Sequence, residues 1–326
     1  MTDTPVPKTH VGARDIPLPA HLSPAAQATL TTPMLDLGQV YPAPDDTAGW
    51  HAHIAATESA MRELILGSTA QLPVDIVERD AHGAQVFDIT PQGIPDSGGL
   101  ILEIHGGALI LGAGELCRGM GAGTAFQMQA RVWAVDYRMP PAHPFPAALD
   151  DCLAAYRAAL DTLPAEKIIV SGGSAGGNLA AALVLRARDE GLPLPGGVIL
   201  RTPEVDLTES GDSFATNLGI DPILGLLMPV NLLYAAGHDL THPYLSPLFA
   251  DFTKGFPPTI LTTGTRDLYL SNTVRLHRAL RAAGIRAELH VLEAGAHLGF
   301  PGAPEGQEIE RELRRFVAEI WSEAGA

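Results

Sequence analysis

The segment Lys167-Ile-Ile-Val-Ser-Gly-Gly-Ser-Ala-Gly-Gly-Asn-Leu179 carries the strongest signal for the fold. It joins a short apolar run to a helix-forming run through a Gly-x-Ser-x-Gly turn, made by Gly172, Ser174 and Gly176. A serine on so sharp a turn has strained backbone angles, and its neighbours two residues away come too close to the backbone for any residue but glycine. The order strand, turn, helix therefore predicts a nucleophile elbow, which aims the first helix amides at the place where an oxyanion forms.

The motif alone leaves two other interpretations open, a glycine-rich turn between a strand and a helix, and a phosphate-binding loop. The chain has 34 glycines, so a chance match is not rare. No Lys-Ser or Lys-Thr pair follows the glycines, which makes a Walker-type phosphate loop a poor match.

Composition and charge indicate the type of domain and exclude some classes of binding partner. The chain has 326 residues and is 46% hydrophobic, which is enough for one large α/β domain with a small cap. The net charge of −16 would repel nucleic acid and anionic membranes, so neither is predicted as a partner. Two cysteines, Cys117 and Cys152, are too few for a disulfide framework and are expected to be reduced and partly buried.

The sequence predicts neither a secretory signal peptide nor a membrane-spanning helix. No N-terminal stretch combines basic residues, an apolar run and a small-residue cleavage site, and no apolar run is long enough to span a bilayer. No metal-ligand spacing of His, Cys, Asp or Glu stands out, so neither a metal nor another cofactor is predicted. The expected location is cytoplasmic.

Short β-rich runs alternate with helical runs from residue 74 onward. This alternation predicts a mostly parallel, eight-stranded α/β sheet flanked by helices, with an antiparallel start because no helix separates the first two strands. A helix is expected over 47–66, and a helical piece over 223–236 in a long interval between strands. The predicted organisation is an arm and part of a helical cap over 1–70, core over 71–202, a cap insertion over 203–245 and core again over 246–326.

A serine nucleophile needs a base and an orienting acid, which follow it along the chain in this kind of fold. The predicted base is His297, in a Gly-rich loop just after the last strand. The predicted acid is Asp267, which follows the preceding strand and should lie at the carboxyl edge of the sheet. Asp206 is the second choice for the acid, and Glu293 is the third.

The oxyanion hole is predicted in the loop His105-Gly-Gly-Ala108, directly after the third strand. Backbone N–H groups of Gly106, Gly107 and Ala108, with that of Ala175 after the serine, are the candidate donors. His105 is expected to be structural, because its side chain can hold the loop through hydrogen bonds.

Together these segments resemble the bacterial hormone-sensitive-lipase-like esterases (family IV) of the α/β-hydrolase superfamily. His105-Gly-Gly-Ala108 is similar to the family's H-G-G-G, and Gly172-Gly-Ser-Ala-Gly-Gly-Asn178 to G-D-S-A-G-G-N. The run from Asp136 to Asp151 is similar to Y-R-L-A-P-E-H-P-F-P-A-A, and Gly264-Thr-Arg-Asp267 with His297-Leu-Gly-Phe300 is similar to the acid and histidine motifs. The resemblance covers residues 74–322 and implies an α/β-hydrolase fold with Ser174 as nucleophile, Asp267 as acid and His297 as base. It also implies a homodimer.

Five positions depart from the family pattern, and at one of them Ala142 replaces a usual glutamate. Ala108 replaces the third glycine of the oxyanion loop, Gly173 replaces the common aspartate, and Leu298 separates the histidine from its glycine. Glu204 stands where tryptophan is common; it faces either the pocket or solvent, and we expect solvent. None of these changes removes a catalytic group.

The resemblance implies a serine carboxylesterase that hydrolyses short-chain acyl esters, lactones included, through an acyl-enzyme. A small-molecule ester is the expected partner. Two alternatives stay open. One is a non-catalytic small-ligand-binding module of the same fold, like the plant gibberellin receptors, against which the presence of His297 argues. The other is an amidase or acyltransferase, since the leaving group is chosen by cap residues that the sequence does not place.

Overall fold

The computed structural model describes residues 9–13, 15–31, 40–95 and 97–325. The remaining positions of the predicted N-terminal arm lie outside the described residues. Within this part of the chain, one eight-stranded sheet has the order β1-β2-β4-β3-β5-β6-β7-β8. Its strands are β1 (Val74–Ala81), β2 (Ala84–Pro91), β3 (Leu100–Ile104), β4 (Val132–Asp136), β5 (Ile168–Gly173), β6 (Gly197–Arg201), β7 (Thr259–Gly264) and β8 (Ala287–Leu292).

The α-helices begin with α1 and α2 before the sheet and alternate with the strands from β3 onward. Their bounds are α1 (Pro24–Thr31), α2 (Thr47–Thr69), α3 (Glu115–Met128), α4 (Ala147–Leu160), α5 (Ala175–Asp189), α6 (Ser213–Thr216), α7 (Met228–Ala235), α8 (Leu270–Ala282) and α9 (Pro304–Glu323). The predicted α/β-hydrolase fold is confirmed.

The antiparallel start of the sheet is confirmed as well. Strand β1 pairs antiparallel with β2, and β2 pairs antiparallel with β4, whereas every later pairing is parallel. Strands β3 and β5 have no exposed residue, because helices cover both faces of the parallel part of the sheet. The carboxyl ends of β3, β5, β7 and β8 therefore meet at one edge of the sheet, where the loops after them come together.

Helices α4, α5 and α8 pack on one face of the sheet, and α3 and α9 pack on the other. A third cluster of apolar side chains lies over the carboxyl edge of the sheet. It joins Trp50 and Met61 of α2 to Ile223, Leu224 and Leu227, which come from the long interval after β6. The two segments predicted to form a cap thus share one apolar cluster with residues of the loop after β3.

Two helix boundaries differ from the prediction. Helix α2 continues past Gly67 to Thr69, beginning where the Asp46 carboxylate accepts a hydrogen bond from the Gly49 amide. The helical piece expected over 223–236 begins only at Met228. The carboxylates of Asp221 and Glu209 accept hydrogen bonds from the Ile223, Leu224 and Leu227 amides, and these side-chain bonds replace a helical turn.

Candidate active site

Ser174 stands on the turn between β5 and α5 with a φ of 56° and a ψ of −126°. This conformation is strained for a residue with a side chain, and it is typical of a nucleophile elbow. A Cβ at Gly172 would lie 2.2 Å from the carbonyl oxygen of Gly176, and one at Gly176 would lie 2.0 Å from that of Ile104. Both positions therefore require glycine, as the spacing of the motif predicted.

Asp267 and His297 come together although 30 residues separate them in the chain. The Nδ1 atom of His297 lies 3.1 Å from Oδ1 of Asp267, and both side chains are buried. The same carboxylate accepts hydrogen bonds from the Tyr269 amide and the Thr263 hydroxyl, which hold its orientation. A proton on Nδ1 satisfies Asp267 and leaves Nε2 of His297 as the basic nitrogen.

The other two candidates for the acid lie elsewhere. Asp206 is buried in an ion pair with Arg275 and accepts hydrogen bonds from Thr208 and Ser210. Glu293 is exposed and lies 2.9 Å from Nε2 of His21. Among the three acids considered, only Asp267 contacts the imidazole of His297.

The loop after β3 has three consecutive residues with positive φ angles. The φ angles are 123° at Gly107, 52° at Ala108 and 63° at Leu109. A Cβ at Gly107 would lie 2.1 Å from the Leu111 carbonyl oxygen, so glycine is required there. Within the described residues the amides of Gly106, Gly107, Ala108 and Ala175 donate to no protein acceptor, which leaves them available to a ligand.

His105 supports this loop from behind. Its ring stacks on that of Tyr137 with 4.1 Å between centroids, and its Nδ1 lies 2.8 Å from the Gly106 carbonyl oxygen. The Tyr137 hydroxyl donates a hydrogen bond to the His105 carbonyl. Burial lowers the pKa of His105 to about 4, so the ring is neutral at physiological pH and braces the loop without adding charge.

A cavity of about 420 Å³ connects these groups. Ser174, His297, Gly106, Gly107 and Ala108 all line it. Much of the remaining wall is apolar and comes from α2, the interval after β6, and α9, with the side chains Met61, Leu64, Ile65, Ile223, Leu224, Leu227, Ile309 and Leu313. The volume lies in the range of small-molecule pockets.

Asp221 is a residue that sequence reasoning missed. Its Oδ2 atom accepts hydrogen bonds from the amides of Leu268 and His297, and its Oδ1 atom from that of Ile223. These bonds connect the interval after β6 to the loop that carries Asp267 and to the loop that carries His297. Burial raises its pKa. An Asp-Pro pair is a local turn signal, but nothing in the sequence says that the turn meets two distant loops.

Glu204 faces neither solvent nor the cavity, so the expectation that it is exposed was wrong. It is 1% exposed, and its amide donates to the Ser174 carbonyl oxygen at 3.1 Å. The Nδ2 group of Asn178 donates to the Glu204 carbonyl oxygen and holds this segment under the elbow. Burial raises the pKa of Glu204 to about 8, against the opposing effect of the Tyr269 hydroxyl, so the carboxyl is largely neutral at pH 7.

One group of potential metal ligands occurs in the part of the chain that the structure describes. Ligand atoms of His105, Cys117 and Asp136 lie within 4.8 Å of one another. The spacing of these residues in the sequence does not indicate a metal site, because they come from the ends of β3 and β4 and from α3. Burial raises the pKa of the Cys117 thiol well above its usual value, which keeps it protonated and disfavours coordination.

The chain is similar in sequence and in fold to known proteins. Residues 101–301 match a family described by its α/β hydrolase fold. An esterase of Acinetobacter venetianus is 34% identical over 191 residues, which cover 57% of this chain and 63% of that esterase. The chain thus spans somewhat less than two thirds of the length of this curated relative. No helix within the described ranges is long and apolar enough to cross a membrane.

Two solved structures extend the likeness to nearly the whole chain. The crystal structure of esterase E25 is 36% identical, superposes with a TM-score of 0.86 and covers 96% of this chain and 98% of its own. An esterase described as a member of the bacterial hormone-sensitive lipase family is 27% identical, with a TM-score of 0.77 over 92% of this chain and 99% of its own. The chain therefore belongs to the α/β-hydrolase fold family, in the branch of the bacterial hormone-sensitive-lipase-like esterases.

Proposed function

We propose that this protein is a serine carboxylesterase that hydrolyses short-chain acyl esters, including lactones. The observation that carries the proposal is the hydrogen bond from His297 Nδ1 to Asp267, beside a cavity that Ser174 and the free oxyanion-loop amides also line. The esterases among its relatives support the same class of reaction.

In the proposed mechanism His297 Nε2 removes the proton from Ser174 as the serine oxygen attacks the ester carbonyl carbon. Asp267 holds the imidazole and stabilises the imidazolium that forms. The amides of Gly107, Ala108 and Ala175, with Gly106 at the start of the loop, stabilise the tetrahedral oxyanion. His297 then donates the proton to the departing alcohol, and the bond between the carbonyl carbon and the alcohol oxygen breaks.

Water completes the reaction by the same route. His297 takes a proton from a water molecule as the water oxygen attacks the acyl carbon. His297 then returns that proton to the Ser174 oxygen as the bond between this oxygen and the acyl carbon breaks, which releases the carboxylic acid. The cavity of about 420 Å³ and the Cβ of Ala108 at its wall favour short acyl chains. A lactone ring undergoes the same attack, and its alcohol stays attached to the acyl product.

The test is hydrolysis of p-nitrophenyl esters of increasing acyl length by the wild-type protein, Ser174→Ala and His297→Ala. We expect turnover to fall by about 10³-fold or more in both variants, with the highest wild-type rates on short chains. A folded wild-type protein that hydrolyses no ester, and whose Ser174 is not labelled by an organophosphonate, would contradict the proposal and favour the ligand-binding alternative. Cleavage of anilides but not of esters would favour the amidase.

The homodimer implied by the resemblance stays a prediction. Strand β8 is an edge of the sheet and pairs only with β7 among the described strands, so its outer edge is the candidate surface for pairing. Light scattering after size-exclusion chromatography would measure the mass in solution. A mass near the 34.3 kDa of one chain would rule out the dimer.

A further inference from the structure

An ion pair crosses the strand that carries the elbow. Glu103 is the last residue of β3 on its face of the sheet, and Arg201 is the last residue of β6. Strand β5 lies between β3 and β6 in the sheet. Nη2 of Arg201 donates to Oε1 of Glu103 over the positions of Ser171 and Gly173. Because Gly173 has no side chain, the guanidinium comes close: a Cβ there would lie 3.8 Å from Nε of Arg201.

Both residues line the active-site cavity, and each keeps an unused hydrogen-bonding atom. Among the described residues, Oε2 of Glu103 and Nε of Arg201 are buried and have no hydrogen-bond partner. Thr202 follows Arg201 in the chain and also lines the cavity, and its hydroxyl is likewise buried without a hydrogen-bond partner among the described residues. An arginine and a carboxylate frequently pair through two parallel hydrogen bonds. This pair forms one and leaves one acceptor, Oε2 of Glu103, and one donor, Nε of Arg201, without a partner among the described residues.

The chemistry of these free atoms selects one class of ligand. A hydroxyl group both donates and accepts, so it can bond to Glu103 and to Arg201 at once. A carboxylate would meet the charge of Glu103 and has no proton to donate. An ammonium group would meet the charge of Arg201. An alkyl chain would leave all of these buried polar atoms without partners.

We propose that Glu103 and Arg201 form a polar subsite that binds a hydroxyl group of a hydroxylated ester substrate. The subsite lies against Gly173, the residue before the nucleophile, so the hydroxyl group belongs close to the reacting ester. This inference rests on the proposed ester hydrolysis and names the class of ester.

The experiment compares matched esters by proton release. Ethyl 2-hydroxybutyrate and ethyl 3-hydroxybutyrate are each compared with ethyl butyrate, and 3-hydroxypropyl acetate is compared with propyl acetate. The first two pairs place the hydroxyl group on the acyl chain, and the third places it on the alcohol. The double variant Glu103→Leu/Arg201→Met removes both charges together, so no buried charge is left unpaired.

We expect the double variant to lower the kcat/KM ratio of hydroxylated to plain ester by about tenfold or more for at least one pair, since a site built for a hydroxyl discriminates strongly. The variant Arg201→Lys keeps the ion pair but removes the planar fork of donors, and it should lower the same ratio if the double variant does not fold. The control Asp206→Asn/Arg275→Met removes a comparable ion pair outside the cavity and should leave every ratio unchanged.

Ratios that stay within about twofold of wild type for all three pairs, in a folded Glu103/Arg201 variant that hydrolyses the plain esters, would overturn the subsite and leave the esterase intact. A wild-type protein that hydrolyses none of the plain or hydroxylated esters would instead overturn the proposed function, and the subsite with it.

Discussion

Asp267 accepts three hydrogen bonds, from Thr263, from the Tyr269 amide and from His297, and it has no exposed surface. Replacing it with asparagine keeps the shape but puts an amide where a carboxylate faces Nδ1 of His297. The imidazole then loses the partner that selects its tautomer, and in a serine triad this loss costs about 10³- to 10⁴-fold in kcat.

We therefore expect Asp267→Asn to lower kcat on a short-chain ester by about 10³-fold or more, with a smaller change in KM. The exposed Asp212→Asn serves as the control and should keep wild-type kinetics. If Asp267→Asn folds and keeps more than a tenth of the activity, the orienting acid is a different residue.

Glu204 makes a second prediction at the residue scale, this one about stability. Burial raises its folded-state pKa to about 8, whereas the ordinary value is 4.5. Between these values the unfolded chain has lost the proton and the folded chain keeps it. The stability contribution of Glu204 is therefore fully present below pH 4.5 and is lost as pH rises toward 8, with a slope on the order of 1 kcal/mol per pH unit.

Glu204→Gln removes this titration while keeping a similar shape. Urea denaturation at pH 5.5 and pH 7.5 should show that the variant loses less stability between the two pH values than the wild type does. Glu63→Gln, on the exposed side of α2, should follow the wild type. Equal pH dependence in wild type and Glu204→Gln would mean that Glu204 ionises normally in the folded state.

At the scale of elements, the contact between β3 and α5 decides whether the elbow can form. Gly176 lies so close to the end of β3 that a Cβ would come within 2.0 Å of the Ile104 carbonyl oxygen and 2.5 Å of that of His105. Neither backbone atom can move without disturbing the oxyanion loop. Gly123 in α3 is different, because a Cβ there would meet only a Thr69 methyl group, at an ordinary 3.7 Å.

The two glycines should therefore respond in opposite ways to the same change. Gly176→Ala should lower the free energy of unfolding by about 3 kcal/mol or more, because the interior is overpacked against backbone. Gly123→Ala should leave stability unchanged or raise it by up to about 1 kcal/mol, since alanine favours the helix. Thermal and urea unfolding measure both. A Gly176→Ala protein as stable as wild type would show that β3 and α5 separate easily.

At the scale of the whole molecule, the two cysteines report on global unfolding. Cys117 lies under the face of the sheet that α3 and α9 cover, and Cys152 under the face that α4 and α5 cover. Both are fully buried, not partly buried as the sequence suggested, and burial raises the pKa of each thiol well above its usual range.

Neither thiol should react with an aromatic disulfide reagent in the folded protein, and both should react after denaturation in guanidinium chloride. The absorbance of the released thiolate counts them, and two equivalents are expected from the unfolded chain. Rapid reaction of one thiol under native conditions would reveal local opening of the face on which it lies.

Local spacing in the sequence was enough for much of this molecule. The Gly-x-Ser-x-Gly turn specifies an elbow because other backbone atoms come too close to Gly172 and Gly176 for either to carry a side chain. The alternation of β and helical runs specifies a parallel sheet, and the chain order along that sheet puts Asp267 and His297 after neighbouring strands β7 and β8. These features depend on periodicity and on chain order, which a sequence displays directly.

Only the tertiary structure decided the features that depend on side chains meeting across several strands or loops. Glu103 and Arg201 are 98 residues apart and pair because β5 inserts between their strands and offers only a glycine beside Arg201. Asp221 fastens two loops, and Glu204 is buried instead of exposed, because the interval after β6 folds back under the elbow. Such contacts follow from packing in three dimensions, so the sequence determined the fold and the candidate catalytic residues, and the tertiary structure decided what surrounds them.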